Sequence, residues 1–271
     1  MASYPPVQSV TRSFAVLKEL NRRKVTTVHD LHVATGLPKP TVVRLLETLI
    51  DAGYVSGDRR QGGYQVTSLV TSLSSGFHGD HLVVEAGRAW ALLLTRRFVW
   101  PFSIAVLDKD CVVVRYSTVP DSPISPFHAT INMRLSLVSR ALGRAYLAFC
   151  PDSERKLLLK MLKTSTAPED AMARYPKQFA TVIKTIREQG FSERDPMVEP
   201  KNSCNIAVPI MQDKRVLGTL CTTYFKSAMT RKEAIDLFVE PLQIAAAHIA
   251  EDVDRLQSVP LVEDDLTSKT G

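Results

Sequence analysis

The side chains best equipped for metal or redox chemistry in this 271-residue chain are six histidines and four cysteines. His29 and His32 stand three apart, a spacing that puts both on one face of a helix, and His78 and His81 repeat it. Neither pair has a cysteine or carboxylate at matching spacing, so no metal centre is expected. Cys111, Cys150, Cys204 and Cys221 are scattered, with no CxxC pair, and read as reduced, packed thiols. GxSxG, a strand-borne GxGxxG, a Walker loop and HExxH are all missing, so no catalytic residue and no cofactor is expected. What remains is recognition chemistry. Lys39, Thr41 and Arg44 crowd one short stretch, and Arg59-Arg60 sit inside Gly57-Asp58-Arg59-Arg60-Gln61-Gly62-Gly63, where they could reach phosphates or a narrow minor groove.

The elements that would carry these cations can be read from periodicity. Val10, Phe14, Leu17 and Leu20 recur at helical spacing over residues 7–20 and are expected to face a core. A second short helix over residues 28–35, with Leu31 and Ala34 inward, stops at Gly36. Leu37-Pro38-Lys39-Pro40 turns the chain into a third helix over residues 40–52, with Val42, Leu45, Leu46, Leu49 and Ile50 as its buried stripe. Two β-prone runs around the Gly-rich tip then read as a hairpin, residues 54–56 with 64–67. Helix, helix-turn-helix and hairpin make a winged helix-turn-helix, whose second helix of the pair enters the DNA major groove.

Composition allows this reading without proving it. The chain carries 34 basic and 28 acidic side chains, a net +6, with 45% hydrophobic and 23% charged residues. That is globular usage, and the length favours two domains. Residues 1–80 hold nine basic and six acidic side chains, a net +3, and the other 191 residues hold only the same +3, so basic excess is denser at the start. Apolar runs such as residues 89–94 fall far short of the ~18–20 needed to span a bilayer. Met1-Ala2-Ser3-Tyr4-Pro5-Pro6 has no signal-peptide character, and a cytoplasmic protein without membrane partners is expected.

Ser9-Val10-Thr11-Arg12 with Leu17, followed by Ala34-Thr35-Gly36-Leu37-Pro38-Lys39-Pro40-Thr41-Val42-Val43-Arg44-Leu45-Leu46-Glu47-Thr48-Leu49, resembles the DNA-binding domain of IclR-type bacterial transcriptional regulators. Pro40 stands where the family usually has serine, which removes one hydroxyl contact to phosphate and leaves that of Thr41. The DNA-facing set expected from residues and resemblance together is Arg12, Lys39, Thr41, Arg44, Arg59 and Arg60.

Beyond residue 67 the pattern changes. Leu69, Val70, Leu73 and Phe77 suggest a linker helix over residues 68–80, and residues 81–256 read as an α+β domain. Its expected elements are a helix at 82–98, strands at 102–107 and 111–118, and helices at 139–149, from 151, and at 179–189. Two more strands at 206–212 and 215–224 and a final helix at 234–256, broken or kinked near Pro241, complete it. Asp152 or Ser153 is expected to cap the helix that starts at 151, and residues 163–175 to be a loop. Residues 257–271 are expected to be a disordered tail.

The resemblance continues through Arg134-Leu135-Ser136-Leu137-Val138-Ser139-Arg140-Ala141-Leu142-Gly143-Arg144-Ala145-Tyr146-Leu147-Ala148, Gly190-Phe191-Ser192 and Ile206-Ala207-Val208-Pro209. Ser136 replaces a usual proline and Val138 a usual histidine. Val99-Trp100-Pro101, Phe127-His128 and Leu147-Ala148-Phe149-Cys150-Pro151 look most like the branch activating hydroxyphenylpropionate catabolism. The resemblance implies an effector pocket at Ala141 and Leu142, Asn205, Thr222 and Tyr224, and at one of Arg194 or Asp195, with Asp195 the expected member. Helix-start amides suit a carboxylate, and Thr222 and Tyr224, two apart on a strand, share a face. Trp100, Phe102, Phe127, Met133 and Leu135 supply apolar surface for an aromatic ring, and Arg134 a bidentate partner for its carboxylate.

The expectation is a ligand-responsive regulator of catabolic genes that binds double-stranded operator DNA and a small carboxylic acid. It would act as a homodimer or a tetramer. An acid-converting enzyme with an accessory dimerisation domain, separable by turnover, and a protein-interaction module, separable by lack of selective DNA binding, are the alternatives.

Overall fold

The computed structural model describes residues 4–23, 25–58, 62–74, 81–125 and 130–258. Arg59, Arg60, Phe77, His78, Phe127, His128 and residues 259–271 of the expected tail lie outside them, and the first two tail residues, Gln257 and Ser258, belong instead to the last helix. The chain divides into two units, Met1–Gly79 and Asp80–Gly271.

In the first unit α1 spans Gln8–Leu20, α2 Val28–Thr35 and α3 Lys39–Asp51, followed by β1 (Val55–Asp58) and β2 (Gly63–Val66). The two strands pair antiparallel from Val55↔Val66 to Asp58↔Gly63. Helix α2 starts with a capping box: the Thr27 hydroxyl accepts from the Asp30 amide, and the Asp30 carboxylate accepts from the Thr27 amide at 3.1 Å. It ends at Gly36, whose φ of 69° is the left-handed conformation that glycine adopts without penalty. His32 Nδ1 lies 2.7 Å from the Leu37 carbonyl and braces the turn into α3.

A small core of Val16, Leu17, Leu20, Leu31, Val42 and Leu46 holds the three helices. The buried stripe of α1 is confined to its last two turns. Val10 and Phe14, expected inward, are 51% and 52% exposed, because periodicity says which residues share a face but not how far neighbouring elements reach along it. Ile50 and Ala34 are likewise exposed rather than buried. A 3-10 helix, Ser68–Ser74, stands where a linker helix was expected.

The second unit opens with α4 (Leu82–Phe98) and the hairpin β3 (Phe102–Asp108) and β4 (Cys111–Ser117). Then come β5 (Arg134–Ser136), α5 (Ala141–Phe149), α6 (Asp152–Leu162), a 3-10 helix at Pro168–Arg174, and α7 (Pro176–Gln189). β6 (Ser192–Glu193), β7 (Ser203–Gln212), β8 (Arg215–Phe225) and α8 (Arg231–Ser258) complete it. The six strands form one antiparallel sheet in the order β5-β4-β3-β8-β7-β6.

Both faces are covered. Phe102, Ile104, Ile206, Leu220 and Tyr224 pack on one side with Phe238, Leu242 and Ile249 of α8 and with α4. Ala105, Val114, Ala207 and Cys221 pack on the other with α5 and α7. Edge strands β5 and β6, of three and two residues, were not expected, being too short to show alternation. Helix α6 is entered from Pro151 without a side-chain cap; Asp152 instead accepts from Arg155 and, at 3.4 Å, from Arg187. Helix α8 runs on through Pro241 to Ser258 with no interruption, beginning at a second capping box between Thr230 and Glu233.

Candidate functional site

Helix α3 presents its outer face through the same periodicity that buries Val42, Leu46 and Leu49. Arg44 falls opposite that stripe and is exposed, as is Lys39 in the first turn, and Thr41 is half-buried beside them. Among the described residues neither Lys39 nor Arg44 has a carboxylate within ion-pair distance, so both charges are free for an anionic partner. Arg12 is exposed on α1, where its guanidinium donates to Gln8 Oε1 at 2.7 Å. The turn from Gly36 to Pro38 and the braced α2 fix the direction in which α3 leaves the unit.

In the second unit a cavity with about 530 Å³ of empty space, its mouth included, opens on the α5 face of the sheet. Its polar wall is built by Ser103, Asn205, Cys221 and Thr223, which follow from the register: Ser103 pairs with Cys221 and Asn205 with Thr223. Asn205 Nδ2 donates to Thr223 Oγ1 at 2.5 Å. Burial pushes the Cys221 thiol up to about 12, so it stays neutral at physiological pH. Ala141 and Leu142, the first two residues of α5, meet this wall, and no side chain caps that helix. Its opening N–H groups have no side-chain acceptor from a cap, and the residues that begin the helix, at its positive dipole end, line the cavity.

Arg140 and Arg194 are the charged lining residues among those described. Arg140 donates to Glu169 through two nitrogens, one at 3.0 Å, and to the Glu199 carbonyl at 2.9 Å. Arg194 donates to the carbonyls of Pro200, at 2.5 Å, and Ser203, and has no carboxylate partner among the described residues. Its guanidinium is pulled below its ordinary pKa by burial first and by the neighbouring charge of Arg140 second. Val114, Leu135 and Met133 form the apolar end.

Of the residues expected here, Met133, Leu135, Ala141, Leu142 and Asn205 line the cavity. Thr222 and Tyr224 do share a face, but it is the opposite one: Thr222 Oγ1 donates to the Pro101 carbonyl at 3.1 Å, and the Tyr224 ring lies 6.1 Å from Phe238 in the α8 core. A one-residue shift in position along a strand exchanges faces, so the cavity side belongs to Cys221 and Thr223. Trp100 and Phe102 are buried in that same α8-side core, Trp100 edge-on to Phe225 at 6.0 Å. Arg134 points away from the cavity to Asp108 and Asp110, at 2.5 and 3.3 Å. Asp195 is consumed by a buried pair with Arg144 at 2.7 Å, which leaves Arg194 as the member of that doublet on the cavity.

Ser103, Val114, Thr130, Arg140, Cys221 and Thr223 were not anticipated. Counting back from the Asp213-Lys214 turn would have set Asn205 against Thr222; the register shift between Ile210 and Met211 sets it against Thr223 instead, so the cavity face of β8 was not legible, whereas the position of Arg140 just before a helix start was. Among the described residues no three histidine, cysteine or carboxylate side chains come together as a metal site. No helix among them is long and apolar enough to cross a membrane.

Comparison with known proteins bears on both units. The profile of the IclR helix-turn-helix domain matches residues 9–59, and that of the bacterial transcriptional regulator IclR C-terminal domain matches residues 102–251. The chain belongs to the IclR family. The transcriptional regulator KdgR of Escherichia coli is 24% identical over 245 residues, covering 90% of this chain and 92% of KdgR. The crystal structure of Thermotoga maritima IclR superposes with a TM-score of 0.61 at 16% identity, over 91% of this chain and 98% of that one. An IclR homologue from Microbacterium hydrocarbonoxydans, solved with 4-hydroxybenzoate, gives a TM-score of 0.55 at 18% identity, over 91% and 99%. As an IclR protein the chain is a DNA-binding transcriptional regulator rather than an enzyme. Lys39, Thr41 and Arg44 fall inside the IclR helix-turn-helix match, and every cavity residue named above falls inside the C-terminal one.

Proposed function

We propose that this regulator senses a small carboxylic acid with an apolar, aromatic body and so controls genes of aromatic-compound catabolism. The observation that carries the reading is Arg194, a half-buried guanidinium without a carboxylate of its own, opening with the uncapped start of α5 onto one cavity. A carboxylate there would accept from Arg194, from the amides of Ala141 and Leu142, and from Asn205 or Thr223. Its body would lie along Val114, Leu135 and Met133. The 4-hydroxybenzoate bound by the Microbacterium homologue is an acid of this shape and supports the choice.

On the DNA side we assign base contacts to Lys39, Thr41 and Arg44 and a phosphate contact to Arg12. Arg59 and Arg60, outside the described residues, would reach phosphates or the minor groove from the hairpin tip. Residues 1–67 would carry DNA binding, 68–80 the link and 81–256 effector binding. The functional form would be a homodimer or tetramer on paired half-sites, with effector and DNA affinities linked reciprocally.

The test is a titration of the protein with its own upstream intergenic DNA at two salt concentrations, with and without a panel of aromatic and aliphatic acids. Selective, salt-sensitive binding altered by an aromatic acid is the expected result. Selective binding that responds only to short aliphatic acids would discard the aromatic reading, and no selective binding at either salt would discard the DNA-face assignment.

A further inference from the structure

Two guanidiniums line the cavity, and one carboxylate, Glu169, reaches one of them, Arg140, from the 3-10 helix at Pro168–Arg174. Glu169 engages Arg140 bidentately, while the third nitrogen of that guanidinium is taken by the Glu199 carbonyl. Arg140 is only 18% exposed, so its charge is neutralised mainly by this carboxylate and little by water. Arg194 feels several groups: the charge of Arg140 lowers its pKa, while those of Glu199 and then Glu169 raise it, and Glu199 is itself paired with Lys201 at 3.7 Å. The nearby Arg144 and Asp195 neutralise each other in a separate buried pair. Neither Glu169 nor Glu199 lines the cavity itself; with Glu199 offset by Lys201, the two lining guanidiniums face one resident carboxylate, that of Glu169. A single vacancy for negative charge remains, and it lies at Arg194.

We propose that Glu169 is the specificity determinant that limits the effector to one carboxylate. The inference rests on the carboxylate reading of the cavity given above. A monocarboxylate brings the local charge to balance. A ligand with a second, adjacent carboxylate must bring it toward Arg140, whose donors Glu169 and the Glu199 carbonyl already hold, and leaves a negative charge without a partner in a partly buried site. Removing the charge of Glu169 vacates that guanidinium and makes room for the second carboxylate. Glu169 stands in a segment outside the strands and helices that build the cavity wall, so its exchange leaves the amides of α5 and the strand hydroxyls in place.

Benzoate and phthalate test the idea, since they share a ring and differ by one adjacent carboxylate. Calorimetric titration of the full-length wild type is expected to favour benzoate. Glu169→Gln is expected to move the phthalate-to-benzoate affinity ratio toward phthalate by about tenfold or more, the size of one recovered charge pair in a partly buried site. Glu169→Asp should restore the wild-type preference. Asp170→Asn is the control for a loosened segment, because Asp170 holds Ser136 and Ser165 at 2.6 Å and does not touch Arg140; it should leave the ratio unchanged. If wild type binds benzoate and the Gln variant keeps the wild-type ratio within twofold, the role of Glu169 is overturned while the cavity reading stands. If Asp170→Asn shifts the ratio as far as Glu169→Gln, segment mobility replaces charge counting and the proposal falls. If wild type binds neither acid, nor any other carboxylate at millimolar concentration, the cavity reading fails and takes the proposal with it.

Discussion

Two ion pairs of similar length have opposite consequences because of where they sit. Arg144 and Asp195, 2.7 Å apart, have side chains 9% and 18% exposed, and Arg144 also donates to the Val138 carbonyl at 2.7 Å. Asp195→Ala would strand a buried guanidinium, and urea unfolding should show a loss of about 3–5 kcal/mol. Arg134 and Asp108 are 2.5 Å apart, but Arg134 is half exposed, so Arg134→Ala should cost less than about 1 kcal/mol in the same assay. Equal losses in the two variants would contradict the burial argument. Asp195 and Arg194 also show where single residues become illegible in sequence. Both are polar and adjacent, and only the partner that buried Arg144 selects decides which one faces the cavity.

At the level of elements, chain order and type were largely readable. Helix starts and stops at Gly36 and Gly190, the β-branched run of β4 and the turns between strand pairs all carry local chemistry. What could not be read was geometry that depends on a neighbour: the short edge strands, the reach of α1 beyond its packed turns, and the face each strand position takes. Alternation on β8 was legible, but its phase was not, because Thr222 and Thr223 are chemically alike and both are buried. Thr223→Val should therefore weaken effector binding several-fold, about 1 kcal/mol for one lost hydrogen bond, and also lower stability by leaving Asn205 Nδ2 without its acceptor. Thr222→Val should leave effector affinity unchanged and lower stability by removing the bond to Pro101. A calorimetric titration paired with thermal melts separates the two, and the reverse outcome would move the cavity to the other face. Close packing of α5 against the approach to it gives a further check at this scale. A Cβ on Gly143 would lie 2.3 Å from the Ser136 carbonyl oxygen and 2.5 Å from Leu137 Cα, both backbone atoms that cannot swing aside. Gly143→Ala should displace the start of α5, and both melting temperature and effector affinity are expected to fall together.

Taken as a whole, the molecule has separate cores, one of short helices in the first unit and a two-sided sheet core in the second. A saturating effector at about 100 times its Kd should stabilise the sheet unit by about 2.7 kcal/mol. Operator DNA should instead protect the helical unit. Scanning calorimetry with each ligand alone checks this, and an effector that shifts only the transition protected by DNA would place its site in the wrong unit. The sheet also separates two demands on the same strands. Ser103, Asn205, Cys221 and Thr223 face the cavity, whereas Phe102, Ile104, Ile206, Leu220 and Tyr224 face the α8 core. Across the cavity end of β3, β7 and β8, odd-numbered positions carry recognition and the even-numbered ones between them carry cohesion. Descendants of this chain can drift at one parity and change what they detect, while the other parity keeps the scaffold that makes detection worth inheriting.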